Sequence, residues 1–258
     1  MNHPRPAAIF LFLTCATTIR IGLAAPAKPA LTVIPFVGCA SDGQVGPLKP
    51  PAGKPIRLAV PTGAASRLAY YKAEYGFGIL APRGWHCFST YGSDGGNLYV
   101  APEPLDGKEL LSANWKGFSG QAVQVSVSVG DTSGRFEVAR IIARVFPGQM
   151  GFVKAVIAEG IEPASDFPQV PYPADKLDRL DPNTVEYETP PNSEGFGTHS
   201  QLLPNASAVR GVIVLFGDEP SLVHASVRLP NDHQDLIPVM LQRLEKEAAT
   251  DIRAAASN

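Results

Sequence analysis

The sequence is poor in cysteine, methionine and tryptophan, and it carries few charges. It contains 3 cysteines, 3 methionines and 2 tryptophans, and charged residues make up 18% of the chain. The 22 basic residues nearly balance the 24 acidic ones, and no basic block occurs. This composition disfavours nucleic acid and anionic membrane surfaces as main partners.

No apolar run reaches the roughly 20 residues that a membrane-spanning helix needs. The N-terminal run Ala7–Ala16 is shorter, follows Arg5, and precedes the small residues Gly22 and Ala24. This arrangement predicts a signal peptide at residues 1–24, cleaved after Ala24. We therefore expect an exported protein that is periplasmic or secreted, with no transmembrane segment in the mature chain.

Motifs of known chemistry are missing as well. The sequence has no Gly-x-Ser-x-Gly, no His-Glu-x-x-His, no glycine-rich phosphate loop and no repeat of 20 to 50 residues. The expected function is a non-enzymatic binding or envelope-assembly module without a cofactor, whose protein or small-molecule partner is unknown. The alternative is a secreted hydrolase whose histidine-based site forms only in three dimensions; a metal-handling protein is a third idea. The candidate general bases are His86, His199, His224 and His233.

Cys39 and Cys87 are the cysteines that remain after the predicted cleavage. An exported chain with one pair of cysteines is expected to form a structural disulfide. The neighbouring His86 leaves two other interpretations open, a nucleophilic thiolate and a zinc ligand pair. No further Cys-x-x-Cys or His-x-x-x-His spacing accompanies the pair, which favours the disulfide.

The candidate binding residues lie close to this pair in the sequence. Asp42 and Asp94 occur in matching Ser-Asp-Gly triplets, which favour Asx turns and leave calcium binding as an alternative. Trp85 and His86 lie beside Cys87, and Tyr91 lies in the same segment. Large aromatic residues at such positions belong more often to the core than to a ligand groove.

Proline content and hydrophobic periodicity predict the domain organisation. We expect a Pro-rich extended arm at residues 25–60, one α+β domain at 61–250 and a flexible tail at 251–258. The domain is predicted to be an antiparallel sheet flanked by helices, because strand-like hairpins occur together with a helix that follows a strand and a final helix.

Individual elements follow from the same patterns. Alternating valines predict a strand over 122–129, and an apolar stripe predicts a helix over 135–146. A second amphipathic helix is expected over 64–73, and one helical turn over 175–180 within a Pro-rich surface loop. The final helix is expected to start with Asp235 as its N-cap. Its predicted core stripe consists of Ile237, Leu241, Leu244 and Ala248.

The last strand has two different sides. Its alternation places His224, Ser226 and Arg228 on one face, which we interpret as a solvated or helix-covered sheet face. Residues two apart on a strand are separated by roughly 7 Å, which is too far for a direct bond between His224 and Ser226.

Two resemblances extend these predictions. Four segments resemble those of an uncharacterised family of exported bacterial proteins, which implies no activity and no catalytic residue. These segments are PFVGCASDGQVGP, GILAPRGWHCFSTYGS, EYETPPNSEGFGTHSQL and VRGVIVLFGDEPSLVHASVRLP. Separately, residues 77–85 (FGILAPRGW) are similar to the strand-Pro-x-Gly-Trp opening of PsbP-like domains. That resemblance implies an α/β/α sandwich and a role in assembly or binding.

Overall fold

A computed structural model describes residues 31–255, apart from the side chains of Thr62 and of residues 251–255. The predicted signal peptide and the first residues of the predicted arm lie outside the described residues. The strands are β1 (Leu31–Ile34), β2 (Phe36–Gly38), β3 (Ala40–Gly43), β4 (Ile56–Ala59), β5 (Leu68–Lys72), β6 (Ile79–Pro82), β7 (His86–Gly92), β8 (Gly95–Ala101), β9 (Ala122–Ser128), β10 (Lys176–Asp181), β11 (Thr184–Thr189), β12 (Val209–Phe216) and β13 (Ser221–Arg228). The helices are α1 (Thr62–Ala65), α2 (Gly107–Leu110), α3 (Arg135–Val145), α4 (Met150–Ala158) and α5 (Ile237–Ala255).

An eight-stranded sheet organises these elements in the order β10-β11-β12-β13-β9-β8-β7-β3. Seven of its strands pair antiparallel, while the edge strand β3 runs parallel to β7. A three-stranded sheet, β2-β5-β6, and a two-stranded sheet, β1-β4, accompany it. The α+β class is therefore confirmed, but the large sheet is mixed rather than purely antiparallel.

One face of the large sheet is covered by α5 and by the strand β5. The apolar stripe of α5 is buried together with the valines of β9 and the apolar residues of β13. The stripe predicted for this helix is confirmed, since Ile237, Leu241, Leu244 and Ala248 are all at most 1% exposed. Here the sheet and its helix form a continuous hydrophobic core.

The opposite face is covered by α3 and α4, but only over the half formed by β10 to β13. Val138, Ile142 and Val145 of α3 pack there against Val185 and Ile213 of the sheet. The predicted helix over 135–146 is thus confirmed, with Glu137 and Arg140 on its more exposed side. Beyond these two helices, the loop residues Leu105 and Phe118 cover Ala101 and Ala122, and another part of the face formed by β7 to β9 stays open.

Three sequence-based expectations are wrong. The helix expected over 64–73 is a four-residue turn followed by β5, in which Leu68 to Tyr71 are all buried. A segment buried on both faces carries no amphipathic periodicity, and its tyrosines favour a strand.

The helical turn expected over 175–180 is the edge strand β10 instead. It forms a hairpin with β11 and is largely exposed, so it lacks an apolar face that would identify it. Asp235 is not a helix N-cap either. It lies inside a 3-10 turn, Asn231–Leu236, and its carboxylate binds the guanidinium of Arg67.

Among the described residues, no helix is both long enough and apolar enough to cross a bilayer.

Candidate functional site

The open half of the large sheet forms the floor of a cavity of about 560 Å³. Strands β7, β8, β9 and β13 supply the floor, and the first two turns of α3 form one wall. Residues 199–201, in the loop between β11 and β12, form the opposite wall. We call this feature the polar cavity, and its size lies within the range of small-molecule sites.

A row of four polar residues crosses the floor. Thr90 pairs with Asn97, Asn97 with Ser126, and Ser126 with His224, so these residues lie directly opposite one another on four adjacent strands. Directly paired residues project to the same face of an antiparallel sheet. The sheet register therefore brings together four polar side chains that are far apart in sequence.

A second row lies beside the first and contains Tyr99, Gln124, Ser226, Gly211 and Tyr187 in this order. The ring of Tyr187 passes over Gly211, because a Cβ atom there would lie 2.3 Å from the Tyr187 hydroxyl oxygen. The glycine thus lets Tyr187 reach across β12 to β13. There its hydroxyl lies 2.9 Å from Nε2 of His224 and 2.8 Å from Oγ of Ser226.

The directions of the hydrogen bonds around Tyr187 follow from one carbonyl group. The hydroxyl donates its single proton to the backbone oxygen of Ala225 at 2.8 Å, since a carbonyl oxygen only accepts. It therefore accepts from Nε2–H of His224 and from the hydroxyl of Ser226. Nδ1 of His224 is then the unprotonated ring nitrogen, and it has a lone pair available.

His224 is neutral in the folded protein. Its side chain is buried, and this burial lowers its pKa to about 3, with the nearby His199 as a smaller cause. An imidazole with this pKa is a poor general base near neutral pH. His224 is therefore better suited to accept a hydrogen bond than to take up a proton.

The directions of the hydrogen bonds in the first row are determined in the same way. The backbone N–H of Gln201 donates to Oε1 of Gln124 at 2.7 Å, so the amide nitrogen of Gln124 must face the sheet. This nitrogen donates to Oδ1 of Asn97 and to Oγ of Ser126. Ser126 also donates to Oδ1 of Asn97, at 2.6 Å.

Asn97 consequently uses only its oxygen within the protein. Oδ1 accepts two hydrogen bonds, whereas within the described chain its Nδ2 group has no protein acceptor. Asn97 is partly exposed and lines the polar cavity. Its two amide protons are therefore available to a ligand.

Charged side chains form the wall along α3. The guanidinium of Arg140 lies 2.6 Å from Oε2 of Glu162 and 3.4 Å from Oε2 of Glu137. Oε1 of Glu137 lies 3.7 Å from Nε2 of His199, whose side chain is 43% exposed. The carboxylate of Asp94 lies at the rim, at the tip of the β7–β8 hairpin.

The loop that carries His199 and Gln201 is held by a half-buried carboxylate. Asp175 accepts from the hydroxyl of Thr189 at 2.6 Å and from the backbone N–H of Phe196 at 2.8 Å. Burial raises the pKa of Asp175 above its ordinary value, although these two bonds oppose the shift. The loop is therefore a fixed part of the cavity wall.

Arg228 holds two loops beside the floor. Its side chain is 1% exposed, and its guanidinium donates to the carbonyl oxygens of Gly120 and Leu203. The Gly120 loop is also joined to residues 201–203, since Phe118 binds the backbone of Gln201 and Leu203. The predicted polar face of β13 is thus neither solvated nor simply helix-covered at Arg228, because loops bury it.

The structure brings together only some of the residues that the sequence singled out. Tyr91 and Asp94 line the polar cavity. Asp42 lies on β3 beside Thr90, and its carboxylate accepts from the N–H of Gly43. Trp85 and His86 lie at the far end of β7, away from the cavity, with Trp85 packed on the apolar core.

The disulfide between Cys39 and Cys87 is confirmed. Both cysteines belong to the apolar core, so the bond joins the chain between β2 and β3 to the α5-covered side of β7. A disulfide is typical of an oxidising compartment and fits a protein outside the cytoplasm. No group of three or more His, Cys, Asp or Glu side chains in the described part of the chain is arranged to hold a metal ion.

The same strands border a second, apolar cavity of about 350 Å³ on the α5-covered side. Leu98, Val125 and Val127 line it, together with Tyr75 and Tyr91, whose ring centroids are 5.2 Å apart. Tyr91 and the glycines of the β7–β8 hairpin tip border both cavities.

Sequence reasoning missed Asn97, Gln124 and Ser126. The alternation of β9 already placed Gln124 and Ser126 on one face, but it did not reveal which strands lie beside them. The sequence did contain one indication of this pairing, because β13 alternates polar and apolar residues as β9 does. Two strands that each have one polar side can pair so that their polar side chains lie on the same face. Comparison of the chain with models of protein families, with curated proteins and with solved structures finds no match.

Proposed function

We propose that the protein is an exported, non-enzymatic binding module whose polar cavity binds a small polar ligand. The observation that carries this proposal is the floor of the cavity. Its polar groups are fixed by hydrogen bonds to the protein, yet no group in the described part of the chain pairs with the Nδ2 protons of Asn97 or with Nδ1 of His224. Such preorganised groups lower the entropic cost of binding.

The proposal includes a location in the periplasm or outside the cell. The disulfide and the predicted signal peptide support it. The similarity of residues 77–85 to PsbP-like domains supports a role in binding or assembly by analogy of architecture. In this view the two loops held by Arg228 keep the cavity walls in place, and ligand binding requires no covalent chemistry.

A hydrolase remains the second candidate because His199 lies 3.7 Å from Glu137 inside the cavity. Such a pair resembles the base and orienting carboxylate of a hydrolase. Two of the nearby serine hydroxyls, however, already donate their protons to other protein groups. Ser126 donates its proton to Asn97, and Ser200 donates to the backbone oxygen of Gly197 at 2.6 Å. This commitment favours binding over nucleophilic catalysis.

The test is capture of a small molecule by the purified full-length protein. The protein is incubated with the small-molecule fraction of bacterial culture, washed, and denatured, and the released compounds are identified by mass spectrometry. We expect a compound that is enriched on the wild type and lost on Asn97→Ala. Asn114→Ala serves as the matched control, because Asn114 is exposed and away from the cavity.

Two results would contradict the binding proposal. One is a set of released compounds that does not differ between wild type and Asn97→Ala. The other is hydrolysis of a substrate by the wild type that His199→Ala abolishes, which would establish the second candidate instead.

A further inference from the structure

We propose that the ligand of the polar cavity is a hydroxyl-rich, saccharide-like molecule that is neutral or carries an amino group, and that the cavity rejects its anionic analogues. This inference rests on the proposed binding function and names the class of ligand. It follows from two independent features, the pattern of donors and acceptors on the floor and the balance of charge around it.

The floor offers a donor and acceptors in one line. Asn97 presents N–H donors, Ser126 has an oxygen lone pair left, and His224 presents its unprotonated Nδ1. These three residues lie on adjacent strands, which are about 4.8 Å apart. A hydroxyl group both donates and accepts a hydrogen bond, so a ligand with several hydroxyls satisfies all three positions. A ligand with acceptors alone would leave His224 unpaired.

The balance of charge disfavours anions. Three carboxylates, those of Asp94, Glu137 and Glu162, border the cavity, and Arg140 is the one Lys or Arg side chain on its described lining. Both Glu137 and Glu162 already bind the guanidinium of Arg140. A carboxylate or phosphate on the ligand would therefore meet unbalanced negative charge, whereas an ammonium group would be attracted.

The N-terminus of α3 does not reverse this preference. A helix N-terminus attracts anions through its free N–H groups. Here the N–H groups of Arg135 and Phe136 already bind the backbone oxygens of Thr132 and Ser133. Glu137 also lies in the first turn, where its carboxylate offsets the helix dipole.

The experiment uses three sugars that share one ring and differ in charge: glucosamine, glucose and glucuronate. Each is titrated into the ¹⁵N-labelled full-length protein at pH 7, and the backbone amide shifts of β8 and β9 are followed. We expect the affinity to fall in that order, with a roughly tenfold difference in affinity between glucosamine and glucuronate. Asn97→Ala should weaken all three titrations.

A second variant isolates the charge argument. Glu162→Gln removes one carboxylate from the wall, while Arg140 keeps its ion pair with Glu137. The difference in affinity between glucosamine and glucuronate should therefore become smaller. Glu188→Gln is the matched control, since Glu188 pairs with Lys176 at an exposed edge of the sheet. The thermal midpoint of each variant shows that it is folded.

The outcomes separate this inference from the binding function. Binding of glucuronate that equals or exceeds that of glucosamine would overturn the charge preference. Failure of all three sugars to shift the amides of β8 and β9 would overturn the hydroxyl-rich class. The capture experiment with Asn97→Ala reports independently on whether the cavity binds a small molecule at all.

Discussion

The two faces of the large sheet are made by the same strands, yet they are built in opposite ways. The face under α5 is lined by apolar side chains and covered by a helix, and the disulfide lies on this side. The other face is apolar under α3 and α4 and beneath the loop residues Leu105 and Phe118, while Asn97, Gln124 and Ser126 on β8 and β9 lie around a cavity. One face therefore supplies most of the hydrophobic core, and the other presents hydrogen-bonding groups.

The difference lies in how each face satisfies its polar atoms. On the α5 side few polar side chains are present, so burial of apolar area stabilises the fold directly. On the cavity side each buried polar group must find a partner, because an unpaired one costs about 1–3 kcal/mol. Tyr187 and Gln124 supply these partners, and the second face is thereby rigid without being filled.

The largest expected effect comes from weakening the α5-covered face at its disulfide. The double variant Cys39→Ala/Cys87→Ala should lower the free energy of unfolding by about 4 kcal/mol, because the bond closes a loop with a sequence separation of 48. Denaturant unfolding of the oxidised wild type and the variant measures this difference. A reductant should lower the free energy of unfolding of the wild type to that of the variant, and it should leave the value of the variant unchanged. Equal stability of variant and oxidised wild type would show that the bond contributes nothing to this face.

The next effect tests the polar face through one hydroxyl group. Tyr187→Phe keeps the ring but removes the oxygen that binds His224, Ser226 and Ala225, so we expect a loss of about 2 kcal/mol. Tyr172→Phe is the matched control, because this tyrosine is also buried and its hydroxyl makes no hydrogen bond to the described part of the chain. Denaturant unfolding of both variants measures the contrast. Equal losses for the two variants would mean that the network around Tyr187 adds no stability.

The smallest effect concerns a polar group on the α5 side, the carboxyl of Glu245. Burial raises its pKa to about 7, and the neighbouring Glu186 adds to the shift. The folded state therefore holds a proton that the unfolded state releases above about pH 4.5, and stability falls as pH rises from about 4.5 to about 7. Glu245 is only half-buried, so solvent screening limits the loss to roughly 1 kcal/mol.

Unfolding at pH 5 and pH 8 checks this slope. Glu245→Gln should lose less stability than the wild type between these two pH values, because the amide carries no charge at either. Glu219→Gln, in an exposed turn, should behave like the wild type. If Glu245→Gln and the wild type lose the same stability between pH 5 and pH 8, Glu245 is not the source of the pH dependence.

Periodicity predicted the elements that have one apolar side and one polar side. The strand β9 and the helices α3 and α5 show this contrast, and each lies close to its expected position. Elements without the contrast were missed. The strand β5 is buried on both faces, and β10 is exposed on both, so neither has a periodic pattern to detect.

The candidate site was predicted only in part, for a related reason. Tyr91 and Asp94 lie near Cys87 in the sequence, and they do reach the cavity. Asn97 and Ser126 come together through pairing of β8 with β9, and Ser126 meets His224 through pairing of β9 with β13. Strand order and register are long-range properties that alternation within one strand does not specify.

The sequence by itself determined the pair Cys39 and Cys87, the α+β class and the stripe of α5, because each depends on residue type or local periodicity. Only the tertiary structure decided which polar residues share a face, since that depends on register across distant strands. It also decided the state of His224, whose buried ring has its pKa lowered and bonds to Tyr187 across Gly211. These effects arise from burial and contact, which exist only in the folded chain.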